Sequence, residues 1–232
     1  MKLRPRQEQG TILWEPDTYG RSHLGVPLEV WRPASVCRLL IFAAIHGEEP
    51  ETAFALSRAL RQLCEPSPHC AVILAANPDG VIRGTRGNAR GVELNRNFPA
   101  RDWQPNPVPH RSTREHPQDV LLSPGPRPGS EPETQALMRL IDELKPATVI
   151  ALHAPLACID DPRNSALGRW LAERTGLPRV EDVGYPTPGS FGSWGADRGL
   201  GVITYEFPFA NNDELMRQHV PVLVELLTST DL

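Results

Sequence analysis

The sequence predicts an α/β fold built around a central, mostly parallel sheet, and two features of the chain carry that expectation. Short apolar runs alternate with amphipathic stretches, the pattern of strands joined by helices. Two of those runs end directly on a histidine, and the carboxyl ends of strands are where open α/β sheets place their sites. Leu39 to Ile45 is the first expected strand. Glu51 to Leu63 has helical periodicity, with Phe54, Leu56, Leu60 and Leu63 on the face to be buried. Ala71 to Ala76 reads as a second strand, stopped by a turn at Asn77-Pro78-Asp79-Gly80. Ser130 is expected to cap a helix over Thr134 to Leu144, with Pro132 early and Glu131 and Glu133 as the acids of a capping box. Pro146 ends that helix, and Ala147 to Leu152 is a third strand. Ser165 to Arg174 reads as a helix, Val202 to Phe207 as a late central strand and Asp213 to Leu227 as a C-terminal helix. Residues 101–129 are rich in proline and without periodicity, so a long surface loop is expected there.

With 232 residues, 40% of them hydrophobic, the chain can bury one substantial core, and a single domain over 1–232 is expected. A formal charge of -4 offers no electrostatic footprint for nucleic acid or an anionic membrane. The start, MKLRPRQEQG, is basic but has no apolar segment behind it, and no apolar stretch is long enough to span a bilayer. The expectation is a cytoplasmic protein, monomer or homodimer. Cys37, Cys64, Cys70 and Cys158 lack paired C-x-x-C spacing and read as reduced thiols.

The chemistry starts from His46-Gly47-Glu48-Glu49 and His153. Two imidazoles and one carboxylate, His46, Glu49 and His153, are the ligand set of a catalytic zinc with an open fourth position. Such a metal polarises a carbonyl and lowers the pKa of bound water. The helical pattern H-E-x-x-H is absent, so Glu49 reaches the ion from a strand-to-helix turn and His153 from a separate strand. Glu206 interrupts the apolar strand Val202 to Phe207, and a carboxylate there costs free energy unless it is paired or used, which makes it the candidate proton carrier. An edge strand with Glu206 facing water is the competing reading. A third cluster, Arg83-Gly84-Thr85-Arg86 and Glu93-Leu94-Asn95-Arg96-Asn97, suits recognition of a carboxylate by an arginine fork and a neighbouring amide. Only two lysines exist, Lys2 and Lys145, so fixed positive charge in a site comes almost wholly from arginine. Arg86 and Arg90 read as surface residues, Arg96 less so.

His46-x-x-Glu49, Glu93-Leu94-Asn95-Arg96-Asn97, His153 and Glu206, in that order, resemble the zinc carboxypeptidase family. The resemblance implies a three-layer α/β/α domain and one zinc per chain on His46, Glu49 and His153, with Glu206 as general base and then acid. It further implies that Asn95 and Arg96 hold the substrate's terminal carboxylate, that Arg83 stabilises the oxyanion, and that Glu93 orients a zinc-bound histidine. Tyr185 would cap the bound substrate. Segments such as Gly91 to Ala100, Gly129 to Leu137, Pro155 to Ile159 and Thr187 to Trp194 are similar to the members that act on murein peptides. That narrower likeness implies cleavage of the γ-D-glutamyl to meso-diaminopimelate amide in cell-wall peptide recycling. Ala154 departs from it, since an acidic residue is expected after the histidine. Asp160 or Asp161 is a candidate for the distal ammonium of the diaminopimelate, against the reading of a plain turn before Pro162. Two other readings stand beside this one: an N-acyl amino acid deacylase of the succinylglutamate desuccinylase or aspartoacylase kind, and a non-catalytic peptide-binding module.

Overall fold

A computed structural model describes residues 2–111 and 119–230. In chain order its elements are β1 (Asp17–Arg21), β2 (Pro27–Val30), β3 (Leu39–Phe42), α1 (Pro50–Leu60), β4 (Cys70–Ile73), α2 (Pro78–Arg83), β5 (Val108–Arg111) and β6 (Asp119–Leu122). They continue with α3 (Pro132–Leu144), β7 (Thr148–His153), β8 (Leu156–Asp160), α4 (Ala166–Thr175), β9 (Arg179–Val180), α5 (Phe191–Asp197), β10 (Gly201–Pro208) and α6 (Asn212–Thr228). Six strands form the central sheet in the order β4-β3-β7-β10-β8-β9. From β4 to β10 the neighbours are parallel, and β8 enters antiparallel to β10, so the sheet is mixed and mostly parallel.

Because side chains alternate across a strand, each run feeds two cores. Ile41, Val72, Ile150, Ile203, Tyr205 and Phe207 pack on one face with α1 and α6. Leu40, Phe42, Ala71, Ile73, Val149 and Ala151 pack on the other with α3 and α5. Burial on both faces explains why these strands read as continuous apolar runs.

Several elements differ from expectation for local physical reasons. The strand expected over Leu39 to Ile45 stops at Phe42, where Ala44 takes a left-handed backbone (φ 51°) and turns the chain out of the sheet. Phe54, expected inside, is 52% exposed, while Leu56, Leu60 and Leu63 are buried. Asn77-Pro78-Asp79-Gly80 is a helix start and no turn: Asn77 Oδ1 accepts from Gly80 N at 3.0 Å and Pro78 occupies the first helical position. Ser130 does not cap α3, whose N-cap position is Glu131 without a capping side chain; Asn97 Oδ1 accepts the Glu131 N–H instead, at 3.1 Å. The stretch 101–129 is not one irregular loop, since β5 and β6 pair antiparallel within it; its residues 112–118 lie outside those described.

One buried pair carries a pH consequence. His219 on α6 shares a 2.7 Å hydrogen bond with the Tyr205 hydroxyl and stacks on Phe207 at 4.4 Å between centroids. Burial pushes the His219 pKa down, to about 4. An unfolded histidine titrates near 6.5, so the unfolded chain binds the extra proton between those values and stability falls as pH drops through that window. Urea unfolding at pH 7.5 and pH 5 should show about 2 kcal/mol of pH-dependent loss in the native chain that is missing in His219→Gln. Parallel pH dependences for the two proteins would contradict it.

Candidate active site

The carboxyl ends of β3, β7 and β10 bring three of the expected groups together. After Ala44 the chain runs through His46 to Glu49, which is the N-cap residue of α1. Thr52 Oγ1 donates to the Glu49 carbonyl at 2.7 Å and accepts from Ala44 N at 3.2 Å, which fixes this turn from inside. Gly47 between them lies so close to α2 that a Cβ would sit 2.0 Å from the Gly80 carbonyl carbon, and only glycine fits. His153 is the last residue of β7, and Glu206 pairs with it in register on β10. Because β10 is flanked by β7 and β8, the edge-strand reading of Glu206 does not hold.

His46, Glu49 and His153 are all buried, and their donor atoms lie within 4.8 Å of one another. His46 Nδ1 is 2.7 Å from Glu49 Oε1, His153 Nδ1 is 3.2 Å from Glu49 Oε2, and the two Nδ1 atoms are 3.1 Å apart. Two ring nitrogens facing each other across one carboxylate leave lone pairs converging on a point, which a cation satisfies. The donor set therefore fits a zinc with mixed nitrogen and oxygen ligands. Behind it, Glu93 Oε1 lies 3.1 Å from His46 Nε2, on the side of the ring away from that point. Glu93 in turn accepts from Arg86 Nε and from Asn95 N, the latter at 3.0 Å.

These contacts set the charges. Burial and Arg86 push the His46 pKa down, but Glu49 and Glu93 outweigh them and raise it to about 9. Burial would raise Glu49, yet the two imidazoles hold it well below the usual carboxylate range. Glu93 is likewise buried and held low, chiefly by Arg86 and His46. Glu206 goes the other way: burial raises it, against a smaller pull from His153. Among the described residues, its Oε2 accepts one long 3.3 Å bond, from Leu156 N.

A cavity of about 530 Å³ opens over these groups, lined also by Arg86, Asn95, Arg96 and Tyr185. Asn95 Oδ1 accepts from Phe191 N at 2.9 Å, which leaves its amide nitrogen as a donor. Arg96 is 7% exposed; its Nη1 donates to the Asn95 carbonyl at 2.7 Å, and its buried Nε has no partner among the described residues. Burial pushes the Arg96 pKa below its ordinary value, the condition of a guanidinium that gains by meeting an anion. Tyr185 is 50% exposed at the cavity wall.

Arg83 stands elsewhere. It is the last residue of α2, exposed, with Nη1 donating to the Ala89 carbonyl at 3.1 Å, and it does not line the cavity. Arg86, expected on the surface, takes the place: its Nη1 lies 3.3 Å from Glu49 Oε1 and 3.2 Å from Glu48 Oε1. The misplacement follows from reading α2 as a turn. Its left-handed cap at Gly84 directs Arg83 outward, and the Arg86 carbonyl is bonded by Gly47 N at 3.4 Å and Asn77 Nδ2 at 3.4 Å. His110 also reaches the cavity, from β5, with Nε2 2.8 Å from Glu48 Oε1. No spacing signal in the sequence marks that contact, because it joins β5 to the distant turn before α1.

Residues 13–159 match the family model of the zinc carboxypeptidases. Murein peptide amidase A of Escherichia coli K12 is 48% identical over 97% of this chain and 94% of its own length. The protein of that name from Vibrio campbellii is 41% identical over 98% of this chain and 93% of its own. The crystal structure of a murein-tripeptide amidase from Escherichia coli O157 superposes with a TM-score of 0.94 at 45% identity, covering 100% of this chain and 99% of that one. Thrombin-activatable fibrinolysis inhibitor shares the fold, with a TM-score of 0.70 at 17% identity over 92% of this chain and 67% of its own. The chain is a hydrolase and belongs to the zinc carboxypeptidase family.

Proposed function

We propose that this protein is a zinc-dependent amidase that hydrolyses the γ-D-glutamyl to meso-diaminopimelate bond of the murein tripeptide, in the cytoplasm, with 1–232 acting as one catalytic domain. The observation that carries the hydrolytic part is one cavity holding a His-Glu-His donor set, a buried carboxylate with little to bond, and a buried guanidinium with an orphan nitrogen. The substrate class is supported by the likeness to murein peptide amidases over nearly the whole chain.

A zinc on His46, Glu49 and His153 would supply Lewis acidity toward the scissile carbonyl and the attacking water. Arg96 and the Asn95 amide nitrogen bind the terminal carboxylate by charge-assisted bonds, which places the preceding amide beside the donor set. Glu206 takes a proton from the attacking water and returns it to the leaving amine; burial gives it the raised basicity this needs. Arg86, beside the donors, stabilises the charge that develops on the carbonyl oxygen, the role first expected of Arg83. Tyr185 at the cavity wall closes over the bound peptide.

Incubating the chain with the tripeptide and following products by mass spectrometry should release free diaminopimelate, with kcat lowered about 10³-fold in Glu206→Gln. An intact tripeptide after zinc loading would refute the amidase reading. Elemental analysis should find one zinc in the native chain and in Glu206→Gln, and a substoichiometric trace in His153→Ala. Full metal content in His153→Ala would move the site elsewhere. Arg86→Met should lower kcat about 10²-fold or more, while Arg83→Met stays close to the native rate. The reverse ranking would restore Arg83 to the site.

A further inference from the structure

A second cavity, of about 580 Å³, shares no described lining residue with the catalytic one and lies at the other end of α1. Glu49 caps the start of that helix, whereas Arg58 and Arg61 line the second cavity from its end, about 15 Å further along the axis. α6 supplies Asp213, Arg217 and Pro221, which share one side of the helix at four-residue spacing. The 3-10 turn Arg6–Glu8 adds Arg6. Four guanidiniums thus line one space beside a single carboxylate among the described residues, Asp213, in a chain whose formal charge is -4.

Arg61 is tied into the fold, its Nη1 donating to the Gln9 carbonyl at 2.8 Å. The guanidiniums of Arg6, Arg58 and Arg217 have no hydrogen-bond or ion-pair partner among the described residues. A helix dipole favours cations in the last turn, which accounts for Arg58 and Arg61 on α1. It gives no reason for Arg6, or for Arg217 in the N-terminal half of α6, and like charges gathered without partners repel. Four arginines and one aspartate leave three positive charges to be balanced. A phosphate group carries about 1.5 to 2 negative charges near neutral pH, and its oxygens match the guanidinium fork. Two linked phosphates therefore meet the charge, and the space is of a size that holds a small ligand.

We propose that this cavity binds a diphosphate, free or as part of a nucleotide, at a site separate from the catalytic cavity.

The test is calorimetric titration of the zinc-loaded full chain with inorganic pyrophosphate, ADP and citrate at matched ionic strength. Pyrophosphate should give a saturable isotherm, weakened about 10-fold in Arg58→Ser and again in Arg217→Ser, the loss of one bond between charged groups. Both arginines are exposed, so thermal unfolding should be unchanged in the two variants. Arg139→Ser, at an exposed position of α3 on the opposite face of the sheet, should bind as the native chain does. ADP binding as tightly as pyrophosphate identifies a nucleotide as the ligand, and ADP failing to bind identifies the free diphosphate. Binding should persist in the metal-poor His153→Ala chain. No saturable binding of pyrophosphate overturns the proposal, as does citrate binding equally well. An affinity lost in His153→Ala but kept in Arg58→Ser and Arg217→Ser overturns it too, by placing the anion on the metal.

Discussion

Five ionisable side chains, His46, Glu49, Arg86, Glu93 and His153, share one small volume at the carboxyl edge of the sheet, and all but the partly exposed Arg86 are fully buried. Each buried ion costs several kcal/mol in lost hydration, so the cluster persists only because every charge faces an opposite one. Glu49 sits between two imidazoles, and Glu93 sits between Arg86 and His46. Much of the surrounding backbone exists to hold those contacts. Gly47 lets the His46 turn lie against α2, Thr52 ties down Glu49, and Glu93 is braced by the Asn95 N–H.

The sheet topology makes that arrangement possible. Parallel β3, β7 and β10 all end on the same side, so residues far apart in the chain arrive together without long side chains. The antiparallel entry of β8 gives β10 a neighbour on its second side. That encloses Glu206, deprives it of water and raises its pKa, while the same ladder extends the cavity floor toward Thr204 and Asp160. One strand thus contributes both Glu206 and part of the cavity lining, Val202 and Thr204.

Charge in the cavity is divided along its length. Arginine and amide donors from the Asn95-Arg96 turn stand near the metal donors, where a terminal carboxylate would lie. Asp160, Glu181 and Asp182 line the rest of the wall together with Arg163.

The four parallel strands β4, β3, β7 and β10, and the meeting of His46, Glu49, His153 and Glu206 at their carboxyl ends, were legible in the sequence because each rests on local pattern: apolar runs, a histidine at the end of a run, a carboxylate within one; β8 and β9, which complete the sheet, were not. The Asn95-Arg96 turn was legible for the same reason, as a dense polar motif. What was not legible depends on direction in space. Asn77-Pro78 reads equally as a turn or as a capped helix start, and that single choice decides whether Arg83 or Arg86 faces the cavity. Adjacent acids such as Asp160 and Asp161 are equivalent on paper, yet strand alternation and the α4 cap send one to the cavity and the other into the fold. Sequence by itself determined which chemical groups this protein carries and in what order. Only the tertiary structure decided which of them meet, because the contacts that bury and pair charge join segments the chain holds far apart.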